Sequence, residues 1–253
     1  SLVENIRHVI LAPGSMFIAE PQFLLYDEVR EPQTYLAILK AIGTGHQTLA
    51  DISQASLVGK THLSAYLKTL QQLRLVERRI PVTVPDAMRR KSRLGSYHLS
   101  DPYFSFYFRF LDPYQEVLTL EPERVLAGVR TGLRAFVGQS AFEVLAREWV
   151  RQQGRAGHLP FQPSAVGSHW SRHVQVDVVA INWQTKEILL GECKWTQEPI
   201  DRQIARDLIE QKLPKVKNDL PDKGDSWRAS FAFFSRTGFT DAARVYAGSH
   251  QAL

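Results

Sequence analysis

Two apolar runs lie almost back to back in the second half of the chain, and together they constrain the fold more than any other feature. "VQVDVVAI" spans residues 174–181 and "EILLGECKW" spans 187–195, with only "NWQTK" between them. Each is short, rich in valine, isoleucine and leucine, and bounded by polar residues, which is the pattern of a buried strand. So short a connection leaves an antiparallel hairpin as the economical pairing. A helical pattern over 140–150 precedes the hairpin, another over 200–213 follows it, and a further strand is predicted over 227–235. The order helix, strand, strand, helix, strand predicts an α/β (α+β) core.

Strand alternation puts Gln175, Asp177 and Val179 on one face, and Leu190, Glu192 and Lys194 on one face of the next strand. A turn that sets Ile181 opposite Lys186 would place Asp177 opposite Leu190 and diagonal to Glu192. Diagonal neighbours are about 7–8 Å apart, within reach of a shared cation. A slip of one residue would send Asp177 to the other side of the sheet. Carboxylates crowded in a partly dry cleft repel each other unless a cation neutralises them. Oxygen ligands suit magnesium or manganese, and a flexible ammonium such as Lys194 suits charge developing on a phosphate. This arrangement points to phosphodiester hydrolysis.

The first half of the chain has a different pattern. Residues 32–43, "PQTYLAILKAIG", open on proline, close on glycine and carry apolar residues at helical spacing. "TLADISQAS" (48–56) follows with a threonine cap, and Leu63, Tyr66, Leu67, Leu70 and Leu73 form a third stripe over 61–73. "LVERRIPVTV" and "SYHLS" read as extended segments on either side of a basic "MRRKSRLG". Three helices and a hairpin with a basic tip are the order of a winged helix-turn-helix domain. In a DNA-binding role the third helix would present Lys60, His62, Ser64 and Lys68 to a major groove, while Arg89, Arg90, Lys91 and Arg93 meet phosphates. The alternative is a winged helix that only packs, with a solvated basic tip. "VGKT" (58–61) lacks the upstream glycine of a phosphate-cradling loop, Gln54 standing in its place, and reads as the corner between two helices. "DPYFSFYFRFL" (101–111) carries aromatics on every side and is expected to lie buried between domains.

Charge follows the same division. The net charge of +5 is concentrated between residues 31 and 115, where eleven basic residues face six acidic ones. A single cysteine, Cys193, leaves no internal disulfide and argues against a thiolate zinc site. His169 and His173 are expected at the surface or at a strand end, without a zinc pattern around them. No apolar run reaches membrane-spanning length, and the amino terminus lacks a secretory pattern, so a cytoplasmic setting is expected. The chain opens on Ser1 without a methionine, as a processed product or a fragment of a longer polypeptide would.

The Asp of "VQVDVVA", the Glu-Cys-Lys of "GECKW" and a preceding helix with Glu143 in "AFE" resemble the PD-(D/E)xK nuclease superfamily. On that resemblance Asp177 and Glu192 are metal ligands, Glu143 an auxiliary ligand and Lys194 the catalytic lysine. Val176 departs from the eponymous proline. "DPYFSFYFRF", "VQVDVVAIN", "ILLGECKW" and "FSRTGFT", in this order, further resemble the C-terminal region of archaeal-type AAA/STAND ATPases. That resemblance implies a lid remnant over 1–30, a winged helix domain over 31–115, a restriction-endonuclease-like α/β domain over 116–253, and an upstream P-loop ATPase domain as partner. The function so implied is metal-dependent, DNA-binding nuclease chemistry. The alternative is a catalytically inactive nuclease fold serving as a DNA-binding or regulatory module.

Overall fold

The structure, a computed structural model, describes residues 2–118, 120–250 and 252. It is a mixed α/β protein that divides into two compact units, Ser1–Arg79 with Gly95–Arg134, and Ile80–Leu94 with Ala135–Leu253. This differs from a boundary at residue 116 in two respects. The helix Pro122–Val137 buries Val125, Leu126 and Val129 and belongs to the first unit as far as Arg134. The basic segment 80–94 belongs to the second unit, although both strands flanking it belong to the first.

In the first unit, α1 (Met16–Tyr26) precedes α2 (Pro32–Gly43), α3 (Leu49–Ser56) and α4 (Lys60–Gln72). Proline opens α2, where no amide donor is needed. Thr48 caps α3 by accepting the Asp51 N–H. The corner at "VGK" is turned by Leu57 in the left-handed region, with φ 59°, and α4 then buries Leu63, Leu67 and Leu70 on one stripe. Strands β1 (Val76–Arg79) and β2 (Ser96–Leu99) pair antiparallel. The aromatic run lies within this unit, where Phe104, Phe106, Tyr107, Phe108 and Phe110 are all buried.

The second unit is built on a four-stranded sheet in the order β3 (Ala165–Trp170), β4 (Gln175–Asn182), β5 (Glu187–Lys194), β6 (Arg228–Ser235). The first two pairings are antiparallel and β5 to β6 is parallel. A parallel pair needs a long crossover, supplied here by a helical run of α5 (Arg202–Arg206), a π-helical stretch Asp207–Lys212 and α6 (Leu213–Asn218). Val179, Ile181, Ile188 and Leu190 are fully buried with Leu208 and Val216, each such side chain contributing about 2 kcal/mol. On the sheet's other face the helix Glu143–Arg155 packs Ala146 and Val150 against Val178, Ala180 and Leu189.

The hairpin forms as expected but in another register. Ile181 pairs with Ile188 and Asn182 with Glu187, two residues away from the expected alignment. The cause lies in the turn. The Asn182 side chain accepts the N–H groups of Gln184 and Thr185, and Lys186 adopts φ 52°, so the loop is 183–186. A shift by two keeps faces unchanged and moves Asp177 from the level of Leu190 to that of Glu192.

Strand alternation also fails in one place. Gly167 pairs with Val179 and His169 with Val176, so Asp177 and Val178 together oppose Ser168 in a β-bulge. Val176 and Val179 consequently join the same core face, and Asp177 does not simply alternate with Gln175.

Strand β3 falls outside every strand expected from the sequence, and His169 lies near its end, 1% exposed rather than at the surface. The segment 80–94 docks on this strand. Val82 N–H donates to Ser168 O, Thr83 Oγ1 is 2.7 Å from His169 Nδ1, and Trp170 Nε1 donates to Leu94 O. Gly167 permits the approach, since a Cβ there would be 3.2 Å from Val82 Cβ. Burial holds the His169 pKa below its ordinary value, although its Nε2 stands 3.2 Å from Asp219 Oδ2.

Candidate functional site

The β4–β5 ladder stops at Val178 and Gly191, and beyond it the two strands are joined by side chains. The Cys193 N–H, left without a strand partner on β4, donates to Asp177 Oδ2 at 2.9 Å. Gly191 allows the strands to close up just before this point, because a Cβ there would lie 2.9 Å from Val178 Cβ. Glu192, its side chain 6% exposed, accepts Lys194 Nζ on Oε1 and Lys212 Nζ on Oε2, both at 2.7 Å. Glu143 sits at the first turn of the helix Glu143–Arg155, and one turn on Arg147 reaches both Glu143 Oε2, at 3.4 Å, and the Asp177 carbonyl, at 2.8 Å.

Three carboxylates and three cationic side chains therefore meet at the end of the hairpin. Asp177, Glu192, Lys194 and Glu143 are brought together, and Lys212 and Arg147 join them. Burial raises the Glu143 pKa, reinforced by the charge of Asp177; Arg147 opposes the shift. Burial likewise raises the Asp177 pKa, followed by the charge of Glu192, while the Cys193 N–H and the two lysines pull it down. The Lys194 pKa is raised: burial, the largest single influence, pulls it down, and the bond to Glu192 with the surrounding negative charge outweighs it. Burial and the neighbouring carboxylates push the Cys193 thiol far above its ordinary value, so it is no nucleophile.

Hard oxygen donors held among like charges fit a divalent cation in chemistry. Their present bonding is different. Among the described residues no three His, Cys, Asp or Glu side chains are gathered closely enough to hold an ion. Both oxygens of Glu192 are engaged by ammonium groups, which balance its charge.

Lys212 is the residue that sequence reasoning missed. Its signal is a lysine within an apolar stripe: Ile204, Leu208 and Val216 pack in the core at a spacing of four, and Lys212 occupies the remaining position. Arg147, four residues after Glu143, carries a similar signal.

The candidate DNA-contacting residues fall in both units. Lys60, His62, Ser64 and Lys68 are exposed on α4, opposite its buried stripe. Arg89 is half-buried in the segment 80–94, whereas Arg90, Lys91 and Arg93 are exposed on the same loop. Arg89 is turned back on its own loop, donating to the carbonyls of Ile80 and Pro81 at 3.4 Å. No helix among the described residues is long and apolar enough to cross a membrane.

Residues 107–208 match the family model DUF234, described as archaeal and bacterial proteins of unknown function. This stretch contains Asp177, Glu192, Lys194, Glu143 and Arg147 and ends before Lys212. The chain is 30% identical over 201 residues to uncharacterized protein MJECL04 of Methanocaldococcus jannaschii, an alignment covering 79% of this chain and 42% of that protein. It thus spans less than half the length of this relative. No solved structure matches significantly.

Proposed function

We propose that the second unit is a PD-(D/E)xK-type nuclease domain that hydrolyses phosphodiester bonds with magnesium or manganese, and that the first unit is a winged helix that contacts DNA through α4. The observation that carries this reading is the meeting of Asp177, Glu192 and Lys194 at the end of one hairpin, with Glu143 arriving from the helix behind it. Asp177 and Glu192 would hold the cation, with Glu143 beside them. Bound there, the cation supplies Lewis acidity and neutralises charge at a phosphate. Lys194 directs its ammonium at negative charge developing on the phosphoryl oxygens. Glu143, its pKa raised by burial, is suited to take the proton of the attacking water. Arg147 fixes Glu143 and the Asp177 backbone in one geometry. The resemblance to AAA/STAND ATPases implies an ATP-hydrolysing domain as partner.

The test is cleavage of single-stranded, duplex and branched DNA with and without manganese. Metal-dependent cutting is expected, and Asp177→Ala and Lys194→Ala each reduce it at least about 100-fold, the scale of losing one charge-stabilising group. Equal cutting by both variants removes the mechanism.

A second reading has its own observation. The double engagement of Glu192 by Lys194 and Lys212 balances charge without any metal, as in a nuclease fold kept as a DNA-binding or regulatory module. That reading expects salt-sensitive DNA binding, weakened when Arg90, Lys91 and Lys68 are neutralised, and no metal-dependent turnover.

A further inference from the structure

The segment "FSRTGFT" (234–240) takes no part in the carboxylate cluster, and its hydrogen bonds hold one arginine in a fixed place. Ser235 Oγ accepts the N–H groups of Thr237 at 3.3 Å and Gly238 at 3.1 Å, Thr237 Oγ1 donates to Glu198 O at 2.8 Å, and Gly238 turns the chain with φ 92°. The Arg236 N–H donates to Lys194 O, which carries the β5–β6 ladder one step further and sets Arg236 beside Trp195. The guanidinium carbon is 5.3 Å from the centre of the Trp195 ring. Trp195 rests in turn on Phe142, with ring centres 4.9 Å apart, and on Gly138, where a Cβ would be 2.8 Å from Trp195 Cβ. An exposed arginine is thus braced on a half-buried indole, and among the described residues it has no acidic partner.

A second ring stands on the same face. Phe234 is two residues before Arg236, about 7 Å along the strand, and meets Trp149 edge to face with ring centres 5.6 Å apart. That contact leaves at least one face of the Trp149 indole uncovered by Phe234, and the residue is 43% exposed. An open indole face suits a flat apolar ring, and an unpaired guanidinium suits a phosphate. A nucleotide offers both, base and phosphate, on one residue. In a duplex the base faces are covered by their neighbours, so a single strand is what can present them. Arg244, over the Phe239 ring at 5.9 Å, is also exposed and without an acidic partner among the described residues, which favours a polyanion over an apolar protein face.

We infer that Trp149 and Arg236 grip single-stranded nucleic acid, DNA or RNA: a base stacks on Trp149 and an adjacent phosphate is held by Arg236. The grip needs neither a cation nor cleavage. It rests on the reading of nucleic acid as the partner of this chain, and it assigns the single-strand contact to the second unit rather than to α4.

The experiment measures fluorescence anisotropy of labelled oligothymidylate, oligouridylate and a blunt DNA duplex with the whole chain in EDTA. Both single strands are expected to bind more tightly than the duplex, and the two together tell DNA from RNA. Trp149→Ala and Arg236→Ala are each expected to weaken single-strand binding about tenfold, the scale of losing one stacked base, and to leave duplex binding unchanged. Trp149→Phe, which keeps an aromatic face, is expected to restore most of the loss, which a merely structural role for the residue would not explain. Urea titration checks folding, and Arg236→Gln replaces an alanine variant that does not fold. Single-strand binding that is absent, equal in the variants, or lost only when Lys60 and Lys68 are neutralised overturns the grip. Self-association of the chain that Trp149→Ala abolishes assigns the face to a second copy and overturns it as well. Metal-dependent cutting by variants that bind as wild type removes the grip and leaves the nuclease reading; variant-sensitive binding without any cutting does the reverse.

Discussion

Replacing Asp177 by asparagine separates a site built for a cation from an ion cluster built for stability. The wild-type carboxylate has three favourable neighbours: the Cys193 N–H at 2.9 Å, Lys194 and Lys212. Against them stand burial and the negative charges of Glu192 and Glu143. The raised pKa means the unfavourable side prevails, with burial the largest cause. Asparagine keeps an oxygen for the Cys193 N–H, so a charge-assisted bond becomes a neutral one at a cost of about 0.5 kcal/mol. Removing the charge from its crowded position returns about 1.5 kcal/mol, a typical gain when strain at a functional site is relieved. The net expectation is a stabilisation of about 1 kcal/mol at pH 8, a urea midpoint higher by roughly 0.4 M for a unit of this size. All five tryptophans lie between residues 149 and 227, so selectively excited tryptophan fluorescence reports the second unit. The folded pKa lies above the unfolded one, so the penalty grows as pH rises out of the carboxylate range. At acid pH, where the wild-type side chain is protonated, the two chains should converge. An asparagine variant less stable than wild type at pH 8 would refute the reasoning, because the carboxylate would then be held by its ammoniums to the benefit of the fold.

Further expectations follow from the same geometry. Manganese should stabilise the second unit more at pH 8 than at pH 5, because protons compete for Asp177 and Glu143; fluorescence-monitored melting reads this. Thr83→Val should destabilise the second unit by about 1–2 kcal/mol in urea titration, since it removes the buried partner of His169 Nδ1. Gly191→Ala should cost about 1–3 kcal/mol and disturb the site, its new methyl meeting Val178 at 2.9 Å and Phe234 at 3.3 Å. Neutralising Lys60 and Lys68 should lower the salt dependence of DNA binding measured by fluorescence anisotropy, by about one unit of log–log slope for each phosphate no longer neutralised.

Periodicity was enough to locate α2, α3, α4 and the hairpin, because in each the apolar residues face one core at one spacing. It was not enough for β3, whose six residues "AVGSHW" include glycine, serine and histidine, poor signals for a buried strand. That strand is held by sheet pairing with β4 and by the docked segment 80–94, neither of which is local in sequence. Asp177, Glu192 and Lys194 were legible because the Glu-x-Lys pair interrupts an apolar strand. Their detailed alignment was not, since it depends on the Asn182 side chain turning the loop and on a bulge that only the pairing with β3 reveals. Lys212 escaped notice because a lysine at the edge of an apolar stripe is usually read as solvated; here a buried acid on a strand twenty residues earlier gives it a partner.

The docking of 80–94 on β3 has a consequence for anyone dissecting the protein. The backbone passes from one unit to the other after Arg79, returns after Leu94, and passes again after Arg134. A clone beginning at residue 135 would therefore lack a piece of its own fold: Ser168 would lose the amide of Val82, His169 the hydroxyl of Thr83, and the indole of Trp170 its carbonyl acceptor. Supplying 80–94 as a separate peptide, or grafting it ahead of residue 135 through a flexible tether, is what such a truncation needs to recover a native β3.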